Sequence, residues 1–365
     1  MYKKTTSIAL VVIFLTTSCS PSNGSHFDES STIGWEDLQI APKTNEDLCA
    51  DIPLEELNWE TLKKDFAYGL FGGIFPSDLS NLYKLSDGTL WVQANEQVLL
   101  KWRFWYPPNN ERPANLRLFI LLDEHQLANA LPEPGSYNDM NLQQGDDKAL
   151  NVTLPRLEPG VHDIIAIGVP YPQDYPDETG IVRLVSWRIT LIAKPFSSPF
   201  RKIYFRSLPA EGSILKNDPL IPLSLTRRKD GLDVWNWPNA WLDTNVNNDL
   251  EFFTLAGYNH VENLDAPPLD ELKASFFALL MFVDYQQIEV ADNQMALYGK
   301  VDKDTAYTRI PIHLSDLPFG KHVVLMLRID TPGVPMCVLK GNPKERILPN
   351  SLYGSLVGIN VLPPK

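Results

Sequence analysis

Apolar and polar residues alternate with a period of two along much of this chain. Leu100, Trp102, Phe104 and Tyr106 fall on one face of such a stretch, with Lys101 and Arg103 on the other. Leu150, Val152 and Leu154 alternate with Asn151 and Thr153, and Val185, Trp187, Ile189 and Leu191 alternate with Ser186, Arg188 and Thr190. The second half does the same at Ile310, Ile312 and Leu314, and at Val323, Leu325, Leu327 and Ile329. Successive side chains of a strand point to opposite faces, so each stretch predicts a strand with one buried face, as in a sandwich of two antiparallel sheets. The aromatic set Trp102, Phe104, Trp105 and Tyr106 is expected in the core. Helical spacing shows mainly in residues 50–70, where Trp59, Leu62 and Phe66 predict one short helix.

The predicted strands form a repeat. The stretch from Leu118 to Leu127 parallels that from Leu279 to Ile288, which sets Asp123 on Asp284 and Gln126 on Gln287. The stretch from Val152 to His162 parallels that from Ile312 to His322, and each copy then enters an apolar strand. Each copy closes with a last strand, Val185 to Ile192 and Leu356 to Leu362. The blocks recur in the same order at a spacing of roughly 160 residues. In both copies a glycine (Gly160, Gly320) precedes a histidine (His162, His322) by two. Glycine lets the chain turn with positive φ, and a polar ring opening the next strand can bond back to that turn.

This block resembles the tyrosine corner of immunoglobulin-like sandwiches, with His in the tyrosine's place. The resemblance implies an all-β fold of two tandem Ig-like or fibronectin-III-like antiparallel β-sandwich domains. It is generic, and the Cys…Trp…Cys pattern of true immunoglobulin domains is missing. The repeat also weighs on chemistry. A catalytic or metal-binding pair of His162 and His322 would have to be built twice, so a structural role is expected for both. Asp123 and Asp284 are expected to be turn formers or hydrogen-bond anchors.

The N-terminus has a different pattern. Met1-Tyr2-Lys3-Lys4 is a basic start, Ile8 to Leu15 is an apolar run, and Thr16-Thr17-Ser18-Cys19 follows. That order is the order of a secretory signal peptide. The run is shorter than the roughly 20 apolar residues a membrane span needs. Leu15-Thr16-Thr17-Ser18-Cys19 resembles the lipobox of bacterial lipoproteins, with Thr16 at the position where leucine is usual. The resemblance implies cleavage before Cys19 and lipidation of its thiol. Acyl chains contribute about 0.8 kcal/mol per buried methylene, so the membrane lipid would hold the chain through Cys19 without a spanning helix. The expected division is a signal peptide over 1–18, a flexible tether over 19–49, a segment with a short helix over 50–85, and β-sandwich domains over 86–200 and 201–365. The expected location is the cell membrane or outer surface, lipid-anchored and extracytoplasmic.

Composition narrows the partners. The formal net charge is −13 over 365 residues, and no Lys/Arg cluster offsets it. Neutralising phosphates supplies most non-specific affinity for nucleic acid, so nucleic acid is excluded as a partner. The 30 prolines suit a chain of many turns. Besides Cys19 there are Cys49 and Cys337. In an oxidising compartment they can pair and tie the N-terminal segment to the last domain; two free buried thiols are the other reading. Gly-x-Ser-x-Gly, His-Glu-x-x-His, P-loop and dinucleotide glycine patterns are absent, and no metal or cofactor is expected.

One segment stands apart. Residues 232–245 hold Trp235, Asn236, Trp237, Asn239 and Trp241 with two aspartates. Exposed, these indoles and amides would make a carbohydrate-binding surface; buried, they are core or interdomain plugs. The sequence therefore favours a non-enzymatic, membrane-anchored binding or spacer protein with an unidentified protein or glycan partner. A carbohydrate-binding or carbohydrate-active protein using the Trp-rich segment is the alternative, and a component of an envelope assembly that pairs through sheet edges is a third.

Overall fold

The computed structural model describes residues 30–38, 42–45, 48–49, 55–60, 71–76, 82–85, 88–108, 113–170, 185–208, 223–226, 242–245, 250–256, 274–290, 294–302, 308–314, 317–340 and 352–363. In chain order its strands are β1 (Ser30–Ser31), β2 (Glu55–Asn58), β3 (Phe71–Pro76), β4 (Leu82–Leu85), β5 (Thr89–Gln93), β6 (Leu99–Trp105), β7 (Ala114–Leu122), β8 (His125–Gln126), β9 (Asn138–Leu142), β10 (Asp147–Thr153), β11 (Gly160–Pro170), β12 (Val185–Lys194), β13 (Phe205–Ser207), β14 (Leu223–Thr226), β15 (Leu242–Asn245), β16 (Leu250–Ala256), β17 (Ala274–Val283), β18 (Gln286–Ile288), β19 (Ala296–Asp302), β20 (Thr308–Leu314), β21 (Gly320–Asp330) and β22 (Leu352–Leu362).

The strand order is laid down twice. In the first copy β6 lies between β3 and β10 in a 3-stranded sheet, and β5-β12-β11-β7 with β8 and β9 form a 6-stranded sheet. In the second copy β16 lies between β14 and β20, and β15-β22-β21-β17-β19 with β18 form the larger sheet. Each large sheet has a parallel pair at the same place, β5 with β12 and β15 with β22. The register repeats as well: Leu121 pairs with Ile165, and Phe282 with Leu325. With β3, β6 and β10 as strands A, B and E, and β7, β9, β11 and β12 as C, C′, F and G, the arrangement is immunoglobulin-like. In the second large sheet β19 also carries β13 and then β1.

Each copy has its own core. Leu100, Trp102, Phe104, Leu118, Ile120, Ile164 and Leu191 fill the first. Phe277, Leu279, Met281, Val324, Met326 and Ile359 fill the second. Trp105 was expected in the core; it lies on the opposite face of β6 and is half-buried, because the alternation that buries Trp102 and Phe104 turns it outward.

The two sandwiches stack face to face through their large sheets. Phe119, Leu121, Ile165, Ile167 and Val169 of the first meet Ala278, Leu280, Phe282, Leu325 and Leu327 of the second in one shared apolar layer. Val323, Leu325, Leu327 and Ile329, expected inside a sandwich, point into this layer, while Val324 and Met326 fill the sandwich itself. Strands buried on both faces carry apolar residues on both faces, which is why β11 and β21 read as nearly continuous apolar runs.

The N-terminal region departs from expectation. A flexible tether was expected over 19–49. Within it Ser30 and Ser31 pair with Arg206 and Phe205, Leu38 packs with Val334, Met336 and Leu339, and Leu48 and Cys49 are buried. Apolar residues of this segment find cover on the folded body, so from residue 30 its described part is packed chain. In the segment expected to contain a short helix, Glu55–Asn58 is a strand paired with β4, Trp59 and Glu60 are helical as expected, and residues 61–70 lie outside the described residues. The first copy of the strand order begins at β3, ahead of residue 86.

Candidate functional site at the junction of the sandwiches

The histidine corners take the same form in both copies. His162 Nδ1 lies 2.7 Å from Asp123 Oδ2, and its Nε2 lies 2.8 Å from the Glu158 carbonyl. His322 stands at 2.7 Å from Asp284 Oδ2 and 2.8 Å from the Pro318 carbonyl. The second oxygen of each aspartate accepts the next strand's backbone N–H, from Asp163 and from Val323, both at 2.9 Å. A carbonyl can only accept, so each Nε2 carries a hydrogen. Both ring nitrogens are thereby committed, and neither histidine has one left to act on a substrate. Burial disfavours the charged ring of His162, but the hydrogen bond and charge of Asp123 outweigh it and hold the ring above its ordinary value. Burial likewise opposes the Asp123 carboxylate; His162, Arg201 and the Asp163 amide overcome that and hold it below its ordinary value.

The aspartates sit in two-residue hairpin turns with positive φ at both positions: Asp123 at 51° and Glu124 at 65°, Asp284 at 49° and Tyr285 at 66°. The turns bring the repeated glutamines together. Gln126 N donates to Gln287 Oε1 at 2.6 Å, and Gln287 N donates to Gln126 Oε1 at 2.8 Å. Gln126 Nε2 reaches the Tyr285 carbonyl at 2.8 Å, and Gln287 Nε2 the Glu124 carbonyl at 2.7 Å. Such reciprocity (residue i on j, and j on i) is the signature of a two-fold contact, here within one chain.

The symmetry breaks in charge. Beside the turn of the first copy, Arg188 holds Asp163 through Nε at 3.1 Å and Nη2 at 3.0 Å. It also donates to the carbonyls of Asp330 and Thr331 of the second copy, at 2.7 and 2.9 Å. Gly333 N donates to Asp163 Oδ2 at 2.6 Å. Arg201 pairs with Asp123 Oδ1 at 2.5 Å and with Glu124, whose Oε2 also accepts the Tyr298 hydroxyl at 2.9 Å. The equivalent positions in the second copy are Tyr285 for Glu124, Val323 for Asp163 and Leu356 for Arg188, by the pairings of Ile165 with Arg188 and Leu325 with Leu356. At the other end, Arg117 stacks on Tyr285 and Tyr137, at 4.6 and 4.1 Å from the ring centroids. Glu124, Asp163, Arg188 and Arg201 were not singled out from the sequence. The signal was there: three of them are charged where the other copy is uncharged.

Other expected sites fall elsewhere. Cys49 and Cys337 form a disulfide with their Cα atoms 5.6 Å apart, in a cluster with Leu48, Val161 and Ile192. The helix Met336–Lys340, which carries Cys337, is capped from the first copy: Thr190 Oγ1 accepts Met336 N at 3.1 Å and Thr89 Oγ1 accepts Cys337 N at 2.9 Å. Cys19, Trp235, Asn236, Trp237, Asn239 and Trp241 lie outside the described residues. Directly after them, Asp243 on β15 is exposed and accepts Asn360 Nδ2 at 2.8 Å. Among the described residues, no helix is long and apolar enough to cross a membrane.

No family model matches the sequence, and no curated protein is similar to it at a significant level. Solved structures with a similar course of chain include the CARDB domain of a Pyrococcus furiosus protein in complex with di-metal ions, at 8% identity over 35% of this chain and 98% of that one, TM-score 0.20. A chaperone–tip adhesion subunit complex from the Csu pili of Acinetobacter baumannii matches at 10% identity over 75% of this chain and 95% of that one, TM-score 0.21. The D1–D4 ectodomain fragment of ICAM-5 matches at 10% identity over 81% and 51%, TM-score 0.19. At these scores the likenesses carry no weight of their own, and the immunoglobulin-like reading stands on strand order and register.

Proposed function

We propose that this chain is a lipid-anchored, extracytoplasmic binding protein without a reaction of its own, with the interlocked sandwiches as its rigid head. The observation that carries the non-enzymatic reading is the commitment of His162 and His322. Each His–Asp pair has the makings of catalytic machinery, yet each spends its remaining nitrogen on the carbonyl of its own turn. Export is supported by the Cys49–Cys337 bond, since disulfides persist in oxidising compartments. Anchoring rests on the sequence around Cys19. Stacking favours binding over spacing, because sandwiches joined face to face through a shared core add little reach.

Two measurements test this reading. Fatty-acid labelling in a bacterial host should mark the wild-type chain in the membrane fraction and leave Cys19→Ala unmarked and released. Label that persists in Cys19→Ala, or is absent from the wild type, overturns the anchor. The mature protein should hydrolyse none of a panel of polysaccharides, and turnover of any of them overturns the non-enzymatic reading. Glycan-array binding lost in a Trp235/Trp237/Trp241 alanine variant would assign the ligand to carbohydrate.

A further inference from the structure

Glu124 combines three unfavourable features. Its backbone sits at φ 65°, where glycine or asparagine is the usual occupant of such a turn. Its side chain is fully buried between the two copies. Its Oε1 has no hydrogen-bond partner among the described residues. The turn itself does not require a carboxylate, since Tyr285 occupies the same place in the second copy.

Charge at the site does not balance without an extra proton. Glu124 faces Asp123 from its own turn, Asp163 from β11, Arg201 from the segment before β13 and Tyr298 from β19. Asp123 is in turn bonded to His162, Asp163 is held by Arg188 of β12, and Asp330 beyond it is paired with Arg328. With every carboxyl ionised and the imidazole neutral, Asp123, Glu124 and Asp163 outnumber the guanidiniums of Arg188 and Arg201. Either a protonated Glu124 or a doubly protonated His162 restores balance, and both ring nitrogens of His162 already face acceptors.

We propose that the junction between the sandwiches is a proton-dependent latch, closed when the Glu124–His162 cluster carries its extra proton and loosened when that proton is lost, with each sandwich staying folded. The bonds that cross at this point are those that would loosen: Arg188 to the Asp330 and Thr331 carbonyls, and Gly333 to Asp163. Burial, helped by Asp163 and Asp123 and opposed by Arg201, pushes the Glu124 carboxyl up to about 7. The folded cluster therefore binds more protons than the unfolded chain between the ordinary value of 4.5 and about 7. Junction stability falls as pH rises through that window. The raised value of His162 acts in the same direction, above its ordinary value of 6.5. This proposal is independent of what the head binds.

Amide hydrogen exchange on the full chain tests it. Gln126, Gln287 and Gly333 donate their amides across the junction, whereas the amides joining β6 and β10 lie within the first sandwich. After correction for intrinsic exchange, protection of the three junction amides should drop about tenfold or more between pH 5 and pH 8, a pKa difference of one unit corresponding to tenfold. Protection between β6 and β10 should stay constant. Glu124→Gln should flatten most of the drop. Tyr298→Phe, which removes a hydroxyl that favours the ionised carboxylate, should move the midpoint to higher pH and gives a reading even if Glu124→Gln does not fold. Constant junction protection in the wild type, an equal drop between β6 and β10, the full drop in Glu124→Gln, or an unmoved midpoint in Tyr298→Phe would each overturn the latch.

Discussion

At the scale of the residue, the two histidine corners are chemically alike and environmentally different. The Asp123 side chain is 23% exposed and that of Asp284 is 47% exposed. A hydrogen bond to a charged group contributes about 1.5–3 kcal/mol and weakens with exposure to water. His162→Gln should therefore lower stability by about 2 kcal/mol at pH 6, and His322→Gln by less, as read from urea denaturation. The pH dependence has a definite sign. His162 is held above its ordinary value of 6.5, so its contribution is complete below 6.5 and is lost as pH rises through the raised value. Asp123 is held below its ordinary value of 3.8, so its contribution is present above 3.8 and is lost as pH falls through the lowered value. The gap between wild type and His162→Gln should be widest between those limits and narrow at pH 9. Gly333 makes a second point of the same kind. Its φ is 76°, and an added Cβ would meet Arg201 Cβ at 2.8 Å. Gly333→Ala should cost about 1–3 kcal/mol through strain and through displacement of Arg201 from its carboxylates.

Elements carry the reciprocal contacts. Removing one glutamine side chain at the β8–β18 contact leaves the partner's backbone N–H without its acceptor, so Gln126→Ala and Gln287→Ala should each cost about 1–3 kcal/mol. The double variant should cost less than the sum, because both side chains serve one arrangement; full additivity in denaturation would argue against the reciprocal pairing. The strands and the repeat were legible in the sequence because period two and a spacing between copies survive without any knowledge of partners. Which partner each face meets was not legible. Val323 and Leu325 alternate as any buried face does, and nothing in that alternation says that the layer they fill belongs to the neighbouring sandwich. Val324 and Met326 between them, equally apolar, were the sign that both faces are buried. Glu124, Asp163 and Arg188 stayed hidden for a related reason. A lone charge in a strand or a turn reads as solvent-facing until the copy beside it shows Tyr285, Val323 and Leu356 at the equivalent places.

For the whole molecule, the question is whether two sandwiches or one unit unfolds. Phe119 and Phe282 meet across the junction with ring centroids 5.0 Å apart, in a layer as fully buried as either private core. Exposing that layer while keeping both sandwiches folded would present a large apolar face to water on each, so the intact chain at pH 5 should melt in a single calorimetric transition. Phe282→Ala removes one of the rings that fill this layer, and a Phe→Ala truncation in a core costs about 3–5 kcal/mol. Because the missing ring belongs to the layer between the copies and not to either private core, the loss falls on the coupling between them. The transition should broaden or split in two, with the calorimetric enthalpy exceeding the van't Hoff value. Trp102→Ala, buried wholly within the first core, is the comparison. It should lower the melting temperature while raising the tendency of the first copy to unfold alone only as far as the junction allows. If Phe282→Ala keeps a single sharp transition and Trp102→Ala is the variant that splits, the private cores and not the shared layer set the cooperativity of this molecule.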